Sequence, residues 1–262
     1  MRPTRAPPAP AELLPSPRMY KFTRTDLLTT LKKAMAPLDK LSPVELDQLG
    51  REMHNAQREA ADERSRKALH TMAEHGWYLD PTWLGGSETY VASLFEKLPE
   101  AKVDEFLCRQ IEKSRPQSLE GLVKQFPDRE RFFRQAFAAH ERKEYALTIP
   151  LLLMQADGIC EELLAVQLHA RERTGGKMAL ATKLEEVANL YIEPLLEPHP
   201  VAHNVKERAA IGSTLILNRH TVLHGESTDF DSYENSCRAI SYVRFVGWVL
   251  ESAARALSSS PV

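Results

Sequence analysis

The sequence predicts an all-α protein: an antiparallel helical bundle in the C-terminal half, preceded by a smaller helical region. Three observations carry that reading. Apolar residues recur at helical spacing over long stretches, Gly and Pro punctuate the ends of those stretches, and no β-type alternation of any length interrupts them. No repeat with a period of roughly 20–50 residues is visible, so a solenoid is not expected.

Residues 1–18 carry Pro3, Pro7, Pro8, Pro10, Pro15 and Pro17. Proline removes backbone donors and stiffens the chain, so this stretch is expected to be a disordered or polyproline-like tail. The first strong helix opens at Ser42-Pro43-Val44-Glu45, where Ser42 suits the N-cap, Pro43 the first helical position and Glu45 a capping box. It runs to His75, and Gly76 is its natural stop. Trp77, Tyr78 and Trp83 follow in a turn-rich segment, Trp77–Gly86, expected to close the end of a small helical layer. Residues 87–98 and 102–114 read as two further helices separated by Pro99, with Pro116 and Pro127 marking connections. Residues 19–128 thus form a helical N-terminal region with no assignable role.

The C-terminal half, 129–257, is more regular. An arginine-rich helix is expected over 129–147. Pro150 opens or kinks the next, Leu151–Thr174, whose core candidates include Leu153, Ile159, Leu163 and Val166, and Gly175-Gly176 ends it. Residues 177–196 form a third helix closed by Pro198 and Pro200. A fourth runs from about Asn204 to His224, where Gly225 stops it. The acidic loop Glu226–Asp231 reads as a solvated turn, and Ser232 caps a last helix along which Tyr233, Cys237, Ile240, Val243, Leu250 and Leu257 recur. Four or five antiparallel helices with short connections make a bundle.

Composition bounds the function. Among 262 residues, 43% are hydrophobic and 27% charged, as in an ordinary globular protein, and a net charge of −2 supplies no global field for nucleic acid. Any RNA contact has to be local. Cys108, Cys160 and Cys237 are odd in number, far apart and without a C-x-x-C pair, which argues against a disulfide framework or thiolate zinc site and fits a reducing, cytoplasmic setting. The longest apolar run, Leu147–Met154, is interrupted by Thr148 and Pro150, and the N-terminus lacks an apolar signal core. Neither a membrane span nor a secretory leader is expected.

Chemistry concentrates at Asn218-Arg219-His220-Thr221-Val222-Leu223-His224-Gly225. Arginine is a permanent cation with a fork that matches phosphate oxygens, and histidine exchanges protons near neutral pH. With 21 arginines and nine histidines, about two matches to Arg-x4–6-His arise by chance. Arg64…His70 and Arg134…His140 also fit, but lie in charged helices. Arg219 instead interrupts an apolar run, where an unpaired charge is costly. Asp157 and Glu161, four apart on an apolar helix, are the candidates to pair with it and hold its side chain. On a regular helix Arg219 and His224 would point roughly 140° apart. They can share one phosphate only if the helix ends before His224 or if two protomers contribute.

This arrangement resembles the HEPN superfamily, a group of small antiparallel bundles with an Arg-x4–6-His motif on a late helix. The likeness covers roughly residues 129–257. It rests on Asn218–Gly225, the loop Glu226–Tyr233, the helix Glu234–Leu257 and the segment Tyr145–Ile159, which is similar to the first core helix of bacterial and phage-associated members. The resemblance implies a metal-independent endoribonuclease needing no cofactor, in which the ribose 2′-hydroxyl attacks the adjacent phosphate and leaves a cyclic phosphate. RNA would be the partner, a homodimer would form the cleft, and a toxin–antitoxin or phage-defence setting would fit. Arg219 would hold the phosphate, His224 would act as acid, base or phosphate ligand, and Asp157 or Glu161 would orient Arg219. The position after the arginine, commonly small and polar in the family, is His220, which can substitute as a proton-transfer group or mark a member that binds without cutting; Asn218 precedes the arginine instead.

Two other readings compete. His220 and His224 share a helix face, and His199 and His203 repeat the spacing, so four imidazoles, or two with Glu226, Asp229 or Asp231, would make a metal site. Pro200 breaks the first pair's helix, and no H-E-x-x-H or Glu-x-x-His pattern accompanies the second. The remaining alternative is a helical RNA- or protein-binding module without chemistry.

Overall fold

A computed structural model describes residues 43–80, 82, 87–171, 178–187, 189–197, 199–204, 206–207 and 217–259. The described residues are helical, and their only β-type pairing is an isolated bridge between Arg171 and Met178. The all-α expectation holds. The N-terminal tail, the Ser42 cap, Trp83 and Gly175-Gly176 lie outside the described residues. None of the described helices is long and apolar enough to cross a membrane.

The chain divides into two compact units, 1–57 and 58–262. The described part of the first, 43–57, is helical, with exposed side chains linked along one face by Asp47–Arg51 (2.7 Å) and Gln48–Glu52 (3.0 Å). Helix α1, Pro43–Glu74, continues past residue 57. In the second unit it buries Ala68, Leu69, Met72 and Ala73, one stripe of a 3.6-residue period. Gly76, at φ +76°, ends it in a Schellman motif: Trp77 N–H donates to Met72 C=O and Gly76 N–H to Ala73 C=O, both at 2.9 Å.

Helices α2 (Glu88–Lys97) and α3 (Glu100–Gln125) follow, broken at Leu98-Pro99 as expected. Pro116 does not mark a connection; it lies inside α3, which runs eleven residues beyond the expected end at 114. The helix accepts it because tertiary packing of Val103, Leu107, Ile111, Ser118 and Leu122 on both sides outweighs one lost backbone bond. A 3₁₀ turn, Pro127–Arg129, leads into α4, Glu130–Glu141.

The helix expected over 129–147 is split. Lys143 adopts φ +62°, Glu144 N–H returns to Ala139 C=O at 2.9 Å, and the chain reverses into α5, Tyr145–Leu164. Pro150 therefore sits inside α5 rather than at its start. Ala165, at φ +53°, closes α5 ten residues short of Thr174, and the described residues of 177–196 hold two short helices, α6 (Ala179–Lys183) and α7 (Glu193–Leu196), instead of one. Of the helix expected from Asn204 to His224, 205 and 208–216 lie outside the described residues. Lys206 and Glu207 are helical; at the far end the chain is extended through Asn218, and Arg219–Leu223 forms a short helix, α8.

Helix α9, Tyr233–Ser259, is the axis of the second unit. Ser232 caps it as expected, its hydroxyl accepting from Asn235 N–H at 3.1 Å. Packed by α5 and α3, α9 buries Cys237, Ile240, Tyr242, Val243, Phe245, Val246, Val249 and Leu250. One buried cation is tied in by Asp104 of α3. Arg238 Nη2 donates to both of its oxygens at 2.8 Å, the guanidinium covers Trp77 at 5.2 Å, and Trp77 Nε1 donates to the same carboxylate at 2.9 Å. Position 128 falls inside this unit, on the turn between α3 and α4.

Candidate functional site

The site is built around α8. Asn218 is its N-cap: the side-chain oxygen accepts from Thr221 N–H at 3.1 Å, while Nδ2 donates to the carbonyls of Pro200 (2.7 Å) and His203 (2.8 Å). The Arg219 N–H donates to Val201 C=O at 2.8 Å. One buried amide thus caps a five-residue helix and binds it to the 200–203 loop. At the other end Gly225, at φ +70°, forms a second Schellman motif, with Glu226 N–H on Thr221 C=O at 2.8 Å. A helix this short is too weak to persist by itself, so its two ends hold it.

Arg219 meets Asp157 of α5. Nε donates to both carboxylate oxygens at 2.8 Å, and Nη2 donates to Oδ2 as well. Nη1 makes no hydrogen bond among the described residues. Both side chains keep about a quarter of their surface (25% and 23%), so the pair is accessible rather than sealed in. Burial raises the Asp157 carboxyl above its usual range, against the pull of Arg219. Glu161, the other candidate orienter, is exposed and forms no ion pair among the described residues.

The backbone beside Asp157 is occupied from the far side. Arg129 donates Nη2 to Gly158 C=O at 2.6 Å, Nη1 to Gln155 at 3.0 Å and Nε to Glu162 at 2.9 Å. A Cβ on Gly158 would lie 2.4 Å from Arg129 Nη1, so glycine is what lets this guanidinium reach the carbonyl.

His220 and His224 come together on one face of α8, ring centroids 4.4 Å apart, with His220 Nε2 3.6 Å from Glu226. His224 is exposed and His220 half-buried. Neither hydrogen-bonds Arg219 within the chain. Among the described residues no three-donor His, Cys, Asp or Glu cluster forms around them, and His199 turns instead to His70.

Sequence reasoning missed a third histidine near Arg219. His169 Nε2 lies 2.6 Å from the Tyr242 hydroxyl, and its buried Nδ1 has no hydrogen-bond partner among the described residues. Burial, then the Arg219 charge, push its proton affinity down to a pKa of about 3, so it is neutral at pH 7. Tyr242 is raised well above its usual value, chiefly by burial. No local motif links residues 169, 219 and 242; only the fold does.

All three cysteines are buried free thiols. Cys108 and Cys237, far apart in sequence, are thiol neighbours, and with burial Cys108 holds Cys237 far above the usual thiol range. Beside them, His140 satisfies both nitrogens at 2.7 Å, on Glu112 and on the Ser236 hydroxyl, which makes this cluster a completed core network.

Comparison of the chain with protein-family models, with curated proteins and with solved structures finds no match.

Proposed function

We propose that the protein is a metal-independent endoribonuclease of the HEPN type, working as a homodimer on RNA. The observation that carries this reading is the state of Arg219. Asp157 fixes two of its nitrogens and sets the plane of the fork, Nη1 is left over among the described residues, and two accessible imidazoles stand on the same turn. A fixed, partly exposed guanidinium suits a phosphate whose charge grows in the transition state.

In the reaction, a base takes the proton of the ribose 2′-hydroxyl and that oxygen attacks the adjacent phosphorus. The P–O5′ bond breaks as an acid protonates the leaving oxygen, giving a 2′,3′-cyclic phosphate and a 5′-hydroxyl. His224 and His220 are the candidate base and acid. Helix α8 ends at Leu223, before His224, so one chain can offer both groups to a phosphate, and pairing two protomers would line the cleft with both sets. An apolar face on α5 supports such pairing: Leu147 and Met154, seven apart, are 60% and 53% exposed.

The test is incubation of single-stranded and structured RNA with the protein in EDTA. Expected are fragments ending in cyclic phosphate, lost in Arg219→Ala and His224→Ala while circular dichroism is unchanged. Intact RNA over a wide range of protein concentrations would sink the enzyme reading. RNA binding without cleavage would point to the non-catalytic module.

A further inference from the structure

A second group of ligating side chains lies away from Arg219, where the turn after α7 meets α1. His70 Nδ1 is 3.1 Å from His199 Nε2 and 3.5 Å from Glu197 Oε2, and the three atoms all lie within 4.8 Å of one another. With bonds of about 2.0–2.1 Å to nitrogen and oxygen, two ligands of a tetrahedral zinc ion stand about 3.3 Å apart. The two edges from His70 Nδ1, 3.1 and 3.5 Å, bracket that value. Two imidazoles and one carboxylate form a three-ligand set that leaves a fourth position open.

The surroundings have the form of a metal site's outer shell. His70 directs its other nitrogen, Nε2, toward Glu193 Oε2 at 3.7 Å, and Arg66 Nε holds that carboxylate at 2.6 Å. A carboxylate behind a ligating histidine orients the ring and favours one tautomer. His199 is buried, whereas Glu197 is largely exposed and leaves a way in for an ion.

We propose that His70, Glu197 and His199 bind a divalent cation of the zinc class. This donor set differs from the one the sequence offered: only His199 is common to both, and its partner is His70 on α1, 129 residues away, rather than His203, His220 and His224. The proposal is independent of RNA cleavage. It does bear on the same loop, since residues 200–203 accept the hydrogen bonds of Asn218 and Arg219.

The experiment uses the full chain without a histidine tag, stripped with EDTA and titrated with Zn²⁺ in a calorimeter and with Co²⁺ in a spectrophotometer. Expected are one ion per chain and the intense visible bands of four-coordinate Co²⁺. His70→Gln and Glu197→Gln should each weaken Zn²⁺ binding at least tenfold, with circular dichroism unchanged, and the His220→Ala/His224→Ala double variant should bind as wild type does. The proposal is overturned if wild-type protein takes up no stoichiometric Zn²⁺, which would leave two imidazoles sharing one proton. It is equally overturned if uptake survives both single variants or follows His220 and His224.

Discussion

Asp157 and Arg219 stand 62 residues apart in the chain, yet a single guanidinium nitrogen of Arg219 lies 2.8 Å from both oxygens of Asp157. Burial raises the carboxyl more than the arginine lowers it, which means that desolvation is only partly offset. A pair held at that cost is better explained by the placement of Arg219 than by stability.

That balance can be measured. Arg219→Met and Asp157→Leu should each destabilise the protein by about 1–3 kcal/mol, below the values of fully buried pairs because a quarter of each side chain is exposed. The double variant should cost less than the sum, with a coupling of about 0.5–3 kcal/mol in urea unfolding. Additive losses would show that the two side chains do not support each other.

Asn218→Ala removes the cap of α8 and leaves the Pro200 and His203 carbonyls without their donor. The cap contributes about 1 kcal/mol and each stranded buried group about 1–3 kcal/mol, so a loss of several kcal/mol is expected. Amide exchange should rise first in 199–203 and 219–224. Uniform exchange across α9 as well would mean that the clasp is not local.

His169 gives a pH dependence with a defined sign. Its folded pKa, about 3, lies below the ordinary histidine value, so as pH falls below about 6.5 the unfolded chain takes up a proton that the folded chain refuses. The neutral ring's contribution is complete above that pH and is lost on acidification at up to about 1.4 kcal/mol per pH unit. Urea unfolding at pH 7.5 and 5 should show a smaller drop for His169→Asn than for wild type; equal drops would rule out His169 as the source.

Lys143 holds a left-handed conformation that suits glycine, with its side chain exposed. Lys143→Gly should therefore stabilise the turn between α4 and α5 by about 1 kcal/mol. An unchanged or lower denaturation midpoint would show that the lysine side chain offsets the backbone strain.

Legibility followed the range of each interaction. Gly76, Ser232 and Gly225 mark helix ends by local geometry, and all three act where their residue type says they should. Lys143 and Ala165 end helices just as sharply but carry no such mark, so the apolar pattern runs on through two points where the chain breaks. Pro116 misled in the opposite sense, because packing from both faces of α3 carries the helix through it. At the site, carboxylates and an arginine intruding on apolar runs narrowed the partner of Arg219 to Asp157 or Glu161, and the fold selects Asp157. Glu161 had the same credentials and faces solvent. Asn218 looked like a helper of the arginine, but its amide is spent on carbonyls that come from a loop 15 to 18 residues back. His169, Tyr242 and the Cys108–Cys237 neighbours were hidden because their partners come from other helices.

The hold of Asp104 on Arg238 reaches 134 residues back along the chain and brings Trp77 with it. A fragment starting at residue 129 would keep every side chain of the Arg219 site yet strip away the helix that neutralises Arg238. It would leave a bare cation on a greasy flank of α9, prone to clumping. Laboratories dissecting this protein should trim from the front only as far as α1, and should treat failure of shorter pieces as an injury to the core, silent about the chemistry of the far end.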